Sequence, residues 1–212
     1  MTGSRRAAQR NRVEATRTKV VDAARPMFVE LGYLETTMAG LAASAGVAVQ
    51  TLYLSFGSKA AVLEAVLAID VPDHPSGSEL AAEPDGPTAL TAYVGATAAA
   101  VARQYPLAAV LRAAAADPDP AALLQRSRRD ALAAHARAVD ELAERPGFTV
   151  LVSMQRATEM TAALLAPETY GLLVAEQGWP VPDWADWVAR HLVADLFPEM
   201  SGSVSRSTRL TR

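Results

Sequence analysis

Apolar residues recur at three- and four-residue steps from Val20 through Ala24, Met27, Phe28 and Leu31, the spacing of one helical face, and Gly32 follows as a stop. The pattern predicts a first helix over about residues 16–31, kinked at Pro26, which cannot donate to the carbonyl of Asp22. Thr37 then stands where an N-cap is wanted, ahead of a short second helix with Leu41, Ala42 and Ala45 on its inner face. Gly46 closes that helix, because glycine tolerates the left-handed position just past a helix end. A third helix over 49–56 turns Leu52 and Phe56 inward, and Ser58 caps a fourth that carries Val62, Leu63, Val66 and Ile69. Two short helices joined through a glycine-containing turn are the helix-turn-helix plan, whose second helix is offered to the DNA major groove. Gln50, Thr51, Tyr53 and Ser55 are thereby left for base edges and phosphates. Lys59 adds its charge to the backbone donors that open the fourth helix, a natural phosphate clamp.

Beyond this block the pattern changes. Residues 71–87 are rich in proline, glycine and acid and read as a linker. Helices are predicted over 88–104, 106–116, 120–145, 148–165, 167–177 and 183–197, with Pro106, the DPDP at 117–120, the RPG at 145–147 and Pro167 as the breaks. The segment 148–165 is apolar on nearly every side, as expected of a helix enclosed all round. Within 120–145 the stripe of Leu124, Leu132, Val139 and Leu142 also takes in Arg128 and His135, polar groups that must find partners or touch a ligand. The final stretch, 201–212, has no apolar periodicity and is expected to be disordered.

Composition supports an all-α chain, since half the residues are apolar, only 6% are aromatic, and Ala, Leu, Arg and Glu favour helices. Absence of cysteine removes disulfides, thiolate metal sites and thiol catalysis together. The polar, basic N-terminus has no apolar core behind it and so is not read as a signal peptide, and 89–102 is too short and Ala-rich to span a bilayer. A cytoplasmic protein without a membrane partner is expected. Net charge is −3, but residues 1–59 carry eight basic side chains against four acidic ones, and the remainder twelve against nineteen. A basic head on an acidic body points to a polyanion at the head. The plain alternative is a solvated basic tail.

Residues 31–67, LGYLETTMAGLAASAGVAVQTLYLSFGSKAAVLEAVL, resemble the DNA-binding domain of the tetracycline-repressor (TetR) family of bacterial regulators. The resemblance is carried by Gly32-Tyr33, Thr36-Thr37, Leu41-Ala42, Ala45-Gly46-Val47, Thr51-Leu52-Tyr53, Phe56 and Ser58-Lys59. Ser55 departs from it, standing where Tyr or His is common, and Ala48 opens the third helix without a capping side chain. The resemblance implies an N-terminal three-helix DNA-binding domain over 1–60 and a helical effector-binding and dimerisation bundle over 61–200. DNA contacts are expected from Arg17, Thr37, Val49, Gln50, Thr51, Tyr53, Ser55 and Lys59, with the basic arm ahead of Thr16 reaching the minor groove. It further implies a homodimer joined through 148–165 and 183–197, and a small apolar effector held among Tyr93, Thr97, Val101, Leu107, Leu111, Arg128, His135, Met154 and Thr158.

The expected function is a repressor released from a palindromic double-stranded DNA operator by that effector, without catalytic residues, metal or cofactor. No nucleophile elbow, phosphate loop, dinucleotide fingerprint or paired-histidine spacing is present, and His74, His135 and His191 are far apart in sequence. The alternative is a helical interaction or ligand-binding protein whose helix-turn-helix has degenerated, which the short Ser55 and the apolar second helix would allow.

Overall fold

The first helix, α1 (Thr2–Glu35), begins well ahead of the expected start, and its register breaks at one residue, Gly32, with φ 77° and ψ 174°. Pro26 lies inside α1 without leaving helical φ/ψ, so the expected kink is not a backbone break. Both Pro26 and Asp22 are exposed, where water can take the carbonyl that proline leaves unpaired. In this computed structural model residues 2–69 and 83–198 are described, with side chains over 13–68 and 83–198. The predicted linker core and the C-terminal tail lie outside the described residues.

Three short helices follow: α2 (Met38–Ala45), α3 (Val49–Phe56) and α4 (Lys59–Ile69). Their ends are set by single residues. Thr37 Oγ1 accepts from the Gly40 N–H at 3.0 Å, Gly46 takes the left-handed conformation at φ 66°, and Ser58 Oγ accepts from the Ala61 N–H at 3.1 Å. As expected, Ala48 offers α3 no side-chain cap.

Longer helices come next, α5 (Gly86–Ala113) and α6 (Pro118–Ala143). α5 runs through Pro106, where a break was expected. The predicted helix over 148–165 is shorter than its apolar run: α7 is Met154–Leu164, capped by Ser153, whose Oγ accepts from the Arg156 N–H at 3.2 Å. Ahead of it Thr149 Oγ1 accepts from the Leu151 N–H at 3.1 Å, a local turn that outweighs the apolar run and leaves Val150 and Leu151 in solvent. α8 (Pro167–Tyr170) passes into a π-helical segment, Gly171–Glu176, and α9 (Val181–Leu196) follows. Every regular element among the described residues is helical.

The chain divides into two compact units. The first holds the described residues up to 69 together with 106–126. Its core gathers Val20, Ala24 and Phe28 of α1, Leu41 of α2, Leu52 of α3, Val62, Leu63 and Val66 of α4, and Leu107, Leu111 and Leu123. The second unit holds the described residues 83–105 and 127–198. There Leu90, Tyr93 and Val94 of α5 pack with Val139 and Leu142 of α6, Ala157 of α7, and Trp184, Val188, Leu192 and Leu196 of α9.

Gly86 opens α5 directly against the Phe197 ring, which itself meets Phe148 edge-on at 5.5 Å. No side chain fits between them. Gly86→Ala should therefore destabilise the second unit by about 1–3 kcal/mol, the usual cost of overpacking, read from the midpoint of urea denaturation.

Candidate DNA-binding surface

The turn between α2 and α3 is built from backbone bonds. After Gly46 the Val47 N–H donates to the Ala42 carbonyl at 3.0 Å, and the two helices bend by 107° from one another. That bend falls within the range of a DNA-binding helix-turn-helix. Leu52 is fully buried and Phe56 partly so, and together they hold the inner face of α3 against the first unit's core. The opposite face carries Val49, Gln50, Thr51, Tyr53 and Leu54, all exposed. Leu54 had not been singled out in the sequence, although it is 83% exposed. A projection at about 100° per residue would have found it, since it points directly away from the line between Leu52 and Phe56.

The remaining expected contacts sit around this helix, and two of them have internal work. Arg17 Nη1 donates to the Ser55 carbonyl at 2.7 Å while its guanidinium lies 4.3 Å from the centre of the Phe56 ring. Carbonyls in the last turn of a helix have no partner within it, so α1 supplies one to α3. Lys59 Nζ donates to the carbonyls of Tyr33 at 2.6 Å and Leu34 at 3.3 Å, over the Tyr33 ring at 4.2 Å. Thr36 Oγ1 donates to the Gly32 carbonyl at 2.7 Å, so the end of α1 is closed by two side chains. Burial lowers the Lys59 pKa from its ordinary value, opposed by the charges of Asp117 and Glu35; burial, aided by Asp117 and Asp119, raises that of Tyr33. Thr37 is exposed at the start of α2, its oxygen already holding the α2 cap. The arm ahead of Thr16 is helical, as the start of α1, and its side chains before residue 13 lie outside the described ones.

The expected effector residues separate into groups. Tyr93, Thr97, Val101, His135 and Thr158 are buried in the second unit. Leu107 and Leu111 instead belong to the core of the first. Arg128 points to solvent and pairs with Glu168 at 2.6 Å, and Met154 is exposed at the start of α7. The polar centre of the buried group is a bond of 2.7 Å between the Tyr93 hydroxyl and His135 Nδ1, with the rings edge to face. Burial raises the Tyr93 pKa to about 12, and Thr97 and Arg137 offset only part of that. Thr97 Oγ1 is close enough to do so, yet it is buried with no partner in hydrogen-bonding geometry. No group of three or more acidic or histidine side chains among the described residues could hold a metal ion. Nor is any single described helix long and apolar enough to cross a membrane.

Residues 20–66 match the model of the bacterial regulatory proteins of the tetR family. Over those residues, which take in the helix-turn-helix of α2 and α3, the chain is similar to that family. No curated protein matches the chain in sequence. Among solved structures it is similar to the transcriptional regulator FadR from Bacillus subtilis in complex with stearoyl-CoA, at 19% identity and TM-score 0.69, over 84% of this chain and 98% of that one. The fatty acid degradation regulator FadR from Bacillus halodurans matches at 20% identity and TM-score 0.67, over 84% and 94%. The SmeT–triclosan complex matches at 20% identity and TM-score 0.69, over 85% and 90%. At such identities the likeness is one of fold, and it extends over most of the chain.

Tyr93 gives this architecture a pH signature. Its folded pKa lies above the ordinary 10.0, so on raising pH the unfolded chain loses the phenolic proton first. Stability from this group is therefore full below about pH 10 and declines between about 10 and 12, by about 3 kcal/mol if the whole shift is expressed. Urea denaturation across that range should show the decline in the wild type, and Tyr93→Phe should lack it.

Proposed function

We propose that the chain is a TetR-family transcriptional regulator, a homodimeric repressor which binds a palindromic operator through its first unit and leaves it when a small apolar effector enters the second. The observation that carries the reading is the exposed Gln50–Thr51 front of α3, on a helix bent by 107° from α2 and anchored from behind by Leu52. Gln50 and Thr51 meet base edges, with Val49 beside them at the start of the helix. Tyr53, Ser55, Thr37, Arg17 and Lys59 position the protein on the sugar-phosphate rail, while the basic start of α1 follows the adjoining groove. Lys59 has three donors and gives two to carbonyls, which leaves one for a phosphate.

Support for the effector site comes from the buried trio of Tyr93, His135 and Thr97, where an apolar wall carries a few convergent polar groups. The stearoyl-CoA and triclosan held by two proteins of similar fold have large apolar parts, which suits the Ala, Leu and Val around that trio. For the dimer, α7 and α9 are the paired elements. α9 keeps its apolar Trp184 stripe in the core, while Trp187 is half-buried and stacks edge-on at 6.1 Å with the exposed Trp179.

Selection from a random-sequence duplex pool should yield a palindrome with half-sites about 34–36 Å apart, or a multiple. Gln50→Ala should then relax preference at one base pair per half-site, at about 1–3 kcal/mol, and leave the salt slope unchanged. Lys59→Ala should weaken binding to all sequences alike and reduce the slope of log K against log salt by about 0.9 per protomer. A uniform loss in both variants, with the same change of slope, would show that α3 is not divided in this way. Sedimentation equilibrium at micromolar concentration should return twice the chain mass of 22.4 kDa, and a monomer would remove the palindrome with the dimer.

A further inference from the structure

We propose that Leu54 reads a thymine: its side chain contacts the 5-methyl group of an A·T pair in the operator, beside the pair read by Gln50. Leu54 lies about 200° around α3 from the fully buried Leu52, so it points away from the core, and it is 83% exposed. Gln50 precedes it by four residues and is also exposed, so the two share one outward stripe, neighbours one turn apart. A helix laid in the groove with Gln50 at base edges therefore brings Leu54 to bases as well.

Chemistry then chooses the base. A leucine side chain has neither donor nor acceptor, and the single apolar feature of the major-groove edge is the thymine methyl. Against a G·C pair the same side chain would strip water from the guanine acceptors and the cytosine amine and return nothing to them. Leu54 thus favours thymine by contact and rejects G·C by desolvation, attraction and exclusion in one residue. No other apolar side chain on α3 is as far into solvent: Tyr53 is 51% exposed and Val49 40%.

This inference rests on the DNA-binding reading above, and its test separates the two. From the selected half-site, each thymine is replaced in turn by uracil, which pairs identically and lacks only the methyl. One replacement, within two base pairs of the position relaxed by Gln50→Ala, should weaken wild-type binding about fourfold per half-site, the factor expected for one methyl group kept in water. Leu54→Ala should bind the thymine and uracil duplexes equally, whereas Gln50→Ala should keep the uracil penalty. Salt dependence should be the same in Leu54→Ala as in the wild type, because no charge is removed. A uracil penalty that survives Leu54→Ala, no penalty at any thymine, or a selected half-site without thymine would each overturn the assignment of Leu54 alone. Failure of the selection to enrich any sequence would overturn the DNA-binding reading and this inference with it.

Discussion

The ammonium of Lys59, 2.6 Å from the Tyr33 carbonyl, fixes how the first unit ends one helix and begins another. Gly32 turns α1 out of register, and the carbonyls of Tyr33 and Leu34 beyond it accept from Lys59. Lys59 stands at the first position of α4, so the bond ties the end of α1 to the start of α4 across the whole of α2 and α3. Arg17 does the matching task from the other side, holding the last turn of α3 to the middle of α1. Between these two cations the outward face of α3 is fixed in direction. The residues proposed to meet DNA therefore owe their geometry to charges that are partly turned inward.

This explains why the head was legible in the sequence and the cations were not. The bounds of α2 and α3 could be read because each end is marked by local chemistry: Thr37 before, Gly46 between, Ser58 after. Local bonds of that kind depend on residues three or four apart. Arg17 and Ser55 are 38 residues apart, and Lys59 and Tyr33 are 26 apart, so sequence shows a basic residue but not the carbonyl it will meet. The inward bonds of Arg17 and Lys59 come in addition to any phosphate contact, and only the fold reveals them.

In the second unit the difficulty was different. Pro106 reads as a break but lies within α5, and the apolar run of 148–152 reads as helix but is turned aside by Thr149 and Ser153. At 149–153 local side-chain bonds outweighed the apolar run, and at Pro106 the helix continued through the proline. The inward stripe of α6 was legible, and so was the odd presence of His135 on it. That its partner would be Tyr93, 42 residues earlier, was not, although both stood on faces expected to meet.

The π-helical segment at Gly171–Glu176 has a consequence for descent with change of length. A π turn holds roughly one more residue than an α turn, and here the surplus is absorbed with Gln177 N–H donating to the Leu172 carbonyl at 3.2 Å. On one flank Tyr170 packs against Trp184 at 5.4 Å, and on the other Trp179 meets Trp187. Both contacts are anchored on α9, outside the widened turn. The wide turn thus acts as a local reservoir of chain length, where a codon lost or gained shifts the winding of one turn and leaves the aromatic packing on either side in place.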